Sequence, residues 1–309
     1  MTVPVVGSAS SRPTRPPFMV ATEWERALQD ARAGLRAWRL WTHLGWQDVR
    51  GRYRRSIIGP FWMTITMATT TVGLGILFSE LWHDSLSTYL PYIGAGLIVW
   101  GFIGGCLQDA PECFTVSDEM IKQVPVPFTA LVLRMVWRQF IILAHNMVVY
   151  VVILAVFFRA LSTPNYTMSG DPCRPGGLPC HPGLGWNTLL AIPGFALTVL
   201  AMVAASVTLG IVAARYRDIK PLIGAVVQLL FFFTPISWPM DTLIQQIGDK
   251  QWIVQVNPLL NFLQIVRQPL IGQQIDWWNW VIAVALTALA WLLAAYMMRR
   301  YRHRIAYWV

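Results

Sequence analysis

Two cysteines and a histidine share one loop of this sequence, and their types could support redox or metal chemistry. Cys173 and Cys180 lie among Pro and Gly residues, and His181 directly follows the second cysteine. In an oxidising compartment the turns of this loop could bring the two thiols together as a disulfide, and two unpaired thiols are the alternative. A zinc site is a third interpretation, but two Cys and one His supply only three of the usual four ligands. We therefore predict no metal here.

The other polar groups argue against enzyme and ion-coupled chemistry. Glu80, His83 and Asp84 form a compact group at one predicted membrane face, which is thin support for a membrane transferase. His145 and Asn146 lie inside a hydrophobic segment, which suits a hydrogen bond between helices or a polar path. The hydrophobic segments have no interior Asp or Glu, which ion-coupled transporters usually place at the midplane. No stretch matches the P-loop pattern that holds ATP phosphates, so we predict no catalytic residue and no cofactor in this chain.

Composition indicates an all-α, polytopic membrane protein. The chain is 55% hydrophobic and only 13% charged, whereas soluble domains carry roughly 25% charged residues. A membrane-spanning helix needs about 20 mainly apolar residues, and six segments qualify: 57–81, 90–107, 139–158, 188–214, 221–238 and 278–298. Residues 1–20 lack the apolar core of a signal peptide. Residues 1–21 are therefore predicted to be a disordered cytoplasmic tail, and 299–309 a basic one.

Basic residues set the predicted orientation of these spans. With both termini in the cytoplasm, all but four of the 24 Lys and Arg residues fall on the cytoplasmic side, as the positive-inside rule expects. The four exceptions are Arg159, Arg174, Lys250 and Arg267. This orientation explains the net charge of +9, so nucleic-acid binding is not needed to account for it.

Residues 22–44 form a predicted helix before the first span. Apolar residues at intervals of three and four share one face of it: Trp24, Leu28, Ala31, Leu35 and Trp38. Polar residues occupy the opposite side: Arg26, Gln29, Asp30 and Arg36. Tryptophans beside an apolar stripe, with Arg opposite, suit a helix lying in the lipid headgroup region. A helix packed on a soluble partner is the alternative.

A short charged helix is predicted in the loop after the second span. Acidic residues follow Ser117 as they do at a helix start, and Pro125 and Pro127 end the helix. On the cytoplasmic side, such a helix could be held by a soluble partner, or it could be a solvated linker.

The segment between the fifth and sixth spans is too apolar for a free loop, although it has only about forty residues. Its apolar pieces, such as 252–254 and 258–266, are too short to cross a bilayer. Re-entrant backbone is tolerated where it is buried in protein or lines a cavity. Two short re-entrant helices are therefore predicted here.

Aromatic residues could line a path for a sugar chain. Many tryptophans lie at predicted membrane interfaces, where an aromatic belt explains them. A deeper set comprises Trp62, Trp100, Phe231, Phe232 and Phe233. Sugar rings present flat C–H faces that rest on aromatic faces, so a channel lined this way would let a glycan slide. Core packing is the alternative for each of these residues.

Three stretches of the sequence resemble a known family. They are Arg52-Tyr-Arg-Arg-Ser-Ile-Ile-Gly-Pro-Phe-Trp62, Arg215-Tyr-Arg-Asp218 and Thr234-Pro-Ile236. With the order of spans, they resemble the ABC-2 family permeases that export bacterial polysaccharides. The resemblance implies that two copies form a pore in the bacterial inner membrane. It also implies that two separate ATPase subunits, which bind ATP and Mg, drive a lipid-linked glycan of the O-antigen, capsule or teichoic-acid type through that pore.

The same resemblance assigns roles to particular residues. The short charged helix becomes a coupling helix that contacts the ATPase subunit: Ser117, Asp118, Glu119, Met120, Ile121 and Lys122. The basic turns become the cytoplasmic entrance: Arg52, Tyr53, Arg54, Arg55, Arg215, Arg217 and Asp218. The region around the re-entrant helices becomes an outer gate: Thr234, Pro235, Asn257, Pro258 and Arg267.

Two other functions stay open at this point. An ABC-2 exporter of drugs or lipids would keep the fold and change the cargo. An integral membrane glycosyl- or acyltransferase would instead use the group formed by Glu80, His83 and Asp84. The loop with Cys173 and Cys180 is longer than the loops usual in the family, which suggests contact with an additional export partner.

Overall fold

The computed structural model describes residues 23–54, 56–163, 165–168, 180–238 and 257–309, and this part of the chain is helical. The β-structure in it consists of one bridge between Tyr166 and His181. The prediction of an all-α fold is confirmed. Ten α-helices lie in the described residues: α1 (Glu23–Arg36), α2 (Trp38–Arg52), α3 (Phe61–Trp82), α4 (Leu86–Asp109), α5 (Asp118–Gln123), α6 (Phe128–Ser162), α7 (Ala191–Arg215), α8 (Ile219–Phe233), α9 (Pro258–Leu270) and α10 (Trp277–Trp308).

Five of these helices are long and apolar enough to cross a membrane, namely α3, α4, α6, α7 and α10. They correspond to five of the six predicted spans, but two of them extend well beyond the apolar stretch. Helix α6 begins at Phe128 rather than near residue 139, and α10 continues to Trp308 rather than ending near residue 298. The fifth predicted span, α8, has only 15 residues. At 1.5 Å per residue its length is about 22 Å, which is less than the hydrocarbon core of roughly 30 Å.

Helix α4 is the centre of the bundle, and most of its side chains are buried. It packs against α3, α6, α7, α8 and α9. Glycines let neighbouring helices approach it closely, because a Cβ atom at Gly105 would lie 2.5 Å from Oε1 of Gln139 on α6. Gly105 and Gly101 form a Gly-x-x-x-Gly pair, a spacing that suits either packing within the chain or contact with a second copy. The contact of Gly105 with α6 is packing within the chain.

Among the apolar helices α3, α4, α6, α7, α8 and α10, the two with the least cover are α3 and α8. Helix α8 buries only Val227, and α3 buries only Thr71, Gly75 and Ser79. Both present exposed apolar side chains such as Leu77 and Leu229. The remaining surfaces of α3 and α8 are thus available to lipid or to a second chain.

The N-terminal amphipathic segment consists of two helices, α1 and α2, where the sequence predicts one helix over residues 22–44. The chain turns at Ala37, which lies between them. Helix α1 packs on the bundle through Ala27, Asp30 and Gly34. Its predicted apolar stripe, including Trp24 and Leu28, is exposed. The small and polar face therefore contacts the protein, and the apolar stripe faces away from it.

The bundle has two ends, which are named here by one residue each. The Arg134 end holds α2, α5, the start of α6 and the end of α10. The Arg267 end holds α9 and the start of α10. Its other elements include the turn at His83, a residue with a φ of 56° that ends α3. Helix α9 is too short to span a bilayer and matches the second predicted re-entrant helix. The first falls in residues 239–256, outside the described residues.

Candidate functional site

An ionic cluster joins three helices at the Arg134 end. Arg134 of α6 donates two hydrogen bonds to Asp48 of α2, at 2.8 and 2.6 Å. Arg138, one turn further along α6, lies 3.8 Å from Asp48 and donates to Asp109 of α4 at 2.8 Å. Because all four side chains are largely shielded from water, removal of one partner would leave an uncompensated charge and would cost more than at an exposed ion pair. The sequence placed Arg134 and Arg138 only as positive-inside markers, and nothing in its spacing identified Asp48 and Asp109 as their partners.

The ionic cluster lines a cavity of about 110 Å³. Two residues predicted to have different roles, Arg52 of the entrance and Ser117 of the coupling helix, line the same cavity. Beside it, Lys220 at the start of α8 forms an ion pair with Glu112, just after α4. The ionic cluster and this neighbouring ion pair therefore connect α2, α4 and α6 with the start of α8.

Helix α5 contains the predicted coupling residues and is amphipathic. Met120 and Ile121 pack against the core, and Ser117 just before the helix is buried. Lys122 pairs with Asp118 at 2.9 Å, and Glu119 is exposed. One face of α5 thus rests on the bundle while its charged face is open to a partner. That arrangement suits the predicted coupling role, which stays a prediction.

Asp30 of α1 caps the first turn of α6, which the sequence did not indicate. Its carboxylate accepts hydrogen bonds from the backbone N–H groups of Phe128 and Thr129, at 3.2 and 3.0 Å, and from the Thr129 hydroxyl at 2.8 Å. Arg302 of α10 donates to the same carboxylate at 3.1 Å. Because free N–H groups begin every helix, this acid ties α1, α6 and α10 together. The amphipathic pattern put Asp30 on the polar side of α1, opposite the apolar stripe, and that side contacts the bundle, where Asp30 is only 2% exposed.

The predicted entrance residues fall into two groups. Arg52 lines the cavity of the ionic cluster, with Tyr53 and Arg54 in the turn that follows α2. Arg215 stacks instead on the rings of Tyr216 and Trp308, at 5.2 and 5.4 Å.

The remaining entrance residues are Arg217 and Asp218, which lie in the turn before α8, and Arg55, which lies outside the described residues. Arg52 and Arg215, one residue from each group, line different cavities. Their role as an entrance stays a prediction.

The candidate channel aromatics also divide into two groups. Trp100 is buried in α4, and its ring lies 5.9 Å from that of Phe231, so these two residues pack the core. Trp62, Phe232 and Phe233 are more than half exposed. These three residues belong to α3 and α8, the two apolar helices with the least cover. Core packing therefore describes Trp100 and Phe231, whereas the three exposed aromatic residues face away from the core.

At the Arg267 end, the five predicted gate residues lie close together. Arg267 is fully buried and donates through Nη1 to the backbone oxygen of Pro235 at 2.6 Å. Asn257 donates to the Thr234 hydroxyl at 2.6 Å and caps α9 by accepting from the N–H of Leu259. Pro258 is the first residue of α9, where its missing N–H is harmless. Sequence reasoning left open whether Arg267 faces water, and the structure buries it.

Tyrosines of α4 hold the segment Thr234–Trp238 that follows α8. The Tyr92 hydroxyl lies 3.3 Å from the backbone oxygen of Pro235 and 3.1 Å from that of Trp238. The Tyr89 hydroxyl donates to the backbone oxygen of Ser237. The guanidinium of Arg267 lies 4.1 Å from the centre of the Tyr92 ring, a favourable cation–π arrangement. The non-helical end of the fifth span is thus fixed to α4 and α9, and its role as a gate stays a prediction.

The remaining predicted groups are placed as follows. His145 donates through Nδ1 to the backbone oxygen of Ile141 on its own helix at 2.8 Å, and its own backbone oxygen accepts from the Thr64 hydroxyl of α3 at 3.1 Å. Asn146 is buried nearby, so this pair lies where α3 meets α6. Cys173 lies outside the described residues, and the disulfide with Cys180 stays a prediction.

Comparison with known proteins defines the class of this permease-like bundle. The family model of the ABC-2 type transporter matches residues 39–271, which is most of the helical bundle. The chain belongs to that family, and it is a multi-pass membrane component of a transporter. It is also similar to the O-antigen export system permease protein RfbA of Myxococcus xanthus. The two are 18% identical over 217 residues, which cover 70% of this chain and 74% of that protein.

Proposed function

We propose that this permease is the membrane subunit of an ATP-driven exporter that moves a lipid-linked polysaccharide across the bacterial inner membrane. One observation carries the proposal: α3 and α8, the two least covered apolar helices, expose Trp62, Phe232 and Phe233. The similarity to an O-antigen export permease supports the choice of cargo. The polysaccharide would be of the O-antigen, capsule or teichoic-acid type.

A second copy of the chain completes the path in this proposal. Two copies facing each other through α3 and α8 would cover the apolar surfaces that one copy leaves open. The exposed aromatic rings would then line the space between the copies. Flat aromatic faces allow sugar rings to move from one to the next without a fixed hydrogen-bond pattern, which suits a repeating polymer. Two ATPase subunits would complete the exporter.

The proposed orientation places the Arg134 end and both termini in the cytoplasm. Basic residues concentrate there, including Arg134, Arg138, Arg215 and the stretch from Arg299 to Arg304, as the positive-inside rule expects. Helix α5 would then present Glu119 to a cytoplasmic ATPase subunit. ATP and Mg belong to that partner, since the chain has no P-loop sequence, and no cofactor is assigned to this chain.

A reconstitution experiment tests this function. The permease and the ATPase that co-purifies with it would be placed in lipid vesicles that contain the lipid-linked glycan of the producing bacterium. We expect the glycan to become accessible to an added glycosidase on the far side only when ATP is supplied. Transport of hydrophobic dyes in place of the glycan would identify a drug exporter instead. Recovery of no ATPase under mild detergent would remove the energy source and overturn the proposal.

The coupling role of α5 gives a prediction of its own. Reversing the exposed charge of Glu119, by Glu119→Lys, should weaken ATPase binding and lower ATP-driven export at least tenfold, because like charges at an interface suppress docking. Co-purification of the ATPase and vesicle export are the two measurements. Glu80→Lys is the matched control, since Glu80 is an exposed acid at the Arg267 end, and it should leave both unchanged. Normal export by the Glu119 variant would contradict the coupling role.

A further inference from the structure

A cavity of about 570 Å³ opens at the Arg267 end, between α9 and the start of α10. Its volume falls within the range of small-molecule sites in proteins. The lining residues used below are Tyr92, Gln264, Gln268, Gln274, Trp277 and Trp278. The predicted gate does not include this cavity, and the two tryptophans were assigned from sequence only to a membrane-interface belt.

A buried acceptor in this cavity has no partner in the described part of the chain. Gln264 of α9 is only 6% exposed, and its Oε1 atom accepts no hydrogen bond there. Buried polar atoms almost always have a partner, and leaving one without is unfavourable. The Gln264 side chain lines the cavity, so rotation of its amide would turn Oε1 toward a hydroxyl group of a bound ligand, which would supply the missing donor.

The cavity wall is held in place by hydrogen bonds on either side of this acceptor. Gln268, one turn along α9, accepts from the backbone N–H of Asp276 at 3.2 Å. The Asp276 carboxylate in turn caps α10 by accepting from the backbone N–H of Trp278 at 3.0 Å. The turn between α9 and α10 is therefore fixed at both sides. The amide groups and the tryptophans are pre-positioned relative to one another.

The chemistry of the lining selects among ligand classes. Among the described residues, the lining contains four glutamines, His181 and Asp276 but no Lys or Arg, so these residues supply none of the guanidinium or ammonium groups that usually hold phosphate or sulfate. A purely apolar ligand would leave the glutamine amides unpaired, which is costly. Trp277 and Trp278 are 62% and 72% exposed, which leaves ring surface for contact. Amide groups beside open indole rings suit a neutral ring that bears hydroxyl groups on its edge and C–H groups on its face.

We propose that this cavity binds one sugar unit of a glycan at the outer surface of the membrane. The sidedness and the supply of glycan rest on the function proposed above, while the sugar-binding chemistry rests on the cavity itself. The Gln264 amide accepts from a sugar hydroxyl, and the ring face lies against Trp278. A unit held there keeps the emerging chain from sliding back between ATP-driven steps.

Binding by the full-length permease in lipid nanodiscs tests the site. The probe is an oligosaccharide of a few repeating units, released by mild acid from the surface polysaccharide of the producing bacterium. Affinity is measured by calorimetry for the unmodified permease, for Gln264→Met and for Trp278→Ala. We expect each substitution to weaken binding at least tenfold. Trp186→Ala is the matched control, because Trp186 is 89% exposed and does not line the cavity, and its affinity should stay unchanged.

The outcomes separate this proposal from the function on which it rests. Equal affinity of the unmodified permease and the Trp278→Ala variant, or no binding by the unmodified permease, overturns the site. Because Trp278 is exposed, this variant remains informative even where Gln264→Met fails to fold. The vesicle assay is run on the same preparations. ATP-driven glycan export without sugar binding leaves the proposed function standing, and absence of export overturns that function on its own.

Discussion

At the scale of single residues, the structure buries polar side chains whose partners the sequence pattern did not identify. Asp30 shares a helix side with Arg26 and Gln29 in the sequence, yet only Asp30 meets the N-terminus of α6. Periodicity reports which residues share a face, but it does not report which helix end lies opposite that face. The burial of Arg267 could not be predicted for the same reason. The contacts that bury it come from α4 and from Pro235, which are distant in sequence.

Removal of the Asp30 carboxylate should destabilise the fold. Asp30→Ala leaves two N–H groups and the Arg302 guanidinium without an acceptor, so we expect a loss of at least about 2 kcal/mol. Asp30→Asn, which keeps one acceptor oxygen, should lose less. Thermal unfolding in detergent measures both. Glu23→Ala is the control on the same helix, because Glu23 forms a more exposed pair with Arg299 at 3.6 Å and should change stability by less than about 1 kcal/mol.

At the scale of helices, the positions of the spans could be predicted but their ends could not. The hydropathy of residues 139–158 identifies α6, whereas its first turns include the two charged residues Arg134 and Arg138, which pair with acids of α2 and α4. In a hydropathy profile these two charges mark the end of a membrane span. Because acidic residues of α2 and α4 pair with them, the helix continues through them. The break at Ala37 was missed as well, because the apolar intervals of three and four continue across it.

The ionic cluster at the Arg134 end should behave as a unit. Asp48→Ala and Arg134→Ala each remove the two hydrogen bonds between α2 and α6, so the double variant should lose much less than the sum of the two. We expect a coupling energy of about 1–3 kcal/mol from a double-mutant cycle of unfolding in detergent. Additive effects would show that the pair does not hold α2 against α6.

Close packing of α7 on α9 gives a second prediction at this scale. A Cβ atom at Gly194 would lie 2.5 Å from the backbone oxygen of Ile265, so Gly194→Ala forces the two helices apart and should cost about 1–3 kcal/mol. Gly73→Ala on α3 is the control, because no atom lies within 4 Å of a Cβ built there. The thermal midpoint should fall for the first variant and not for the second. Equal midpoints would contradict the close contact.

At the scale of the whole molecule, the least covered surfaces of α3 and α8 indicate where a second copy would pack. A photo-crosslinking residue in place of Phe232 on α8 should give covalent dimers in native membranes. The same residue in place of Leu289, an exposed position on α10, should give mainly lipid adducts. Denaturing gel electrophoresis separates the two results. Dimers from the α10 position alone would place the second copy elsewhere and contradict the proposed path.

The shortness of α8 also affects the lipid around the protein. A helix about 22 Å long beside a hydrocarbon layer of roughly 30 Å leaves a mismatch, which membranes relieve by local thinning. Wherever α8 borders lipid rather than the second copy, the bilayer beside it should therefore be thinner than the surrounding membrane. Thinning at that point shortens the distance that a hydrophilic polymer must be carried past lipid. It also makes the transport rate depend on acyl-chain length, with thicker bilayers opposing the conformations in which α8 meets the lipid.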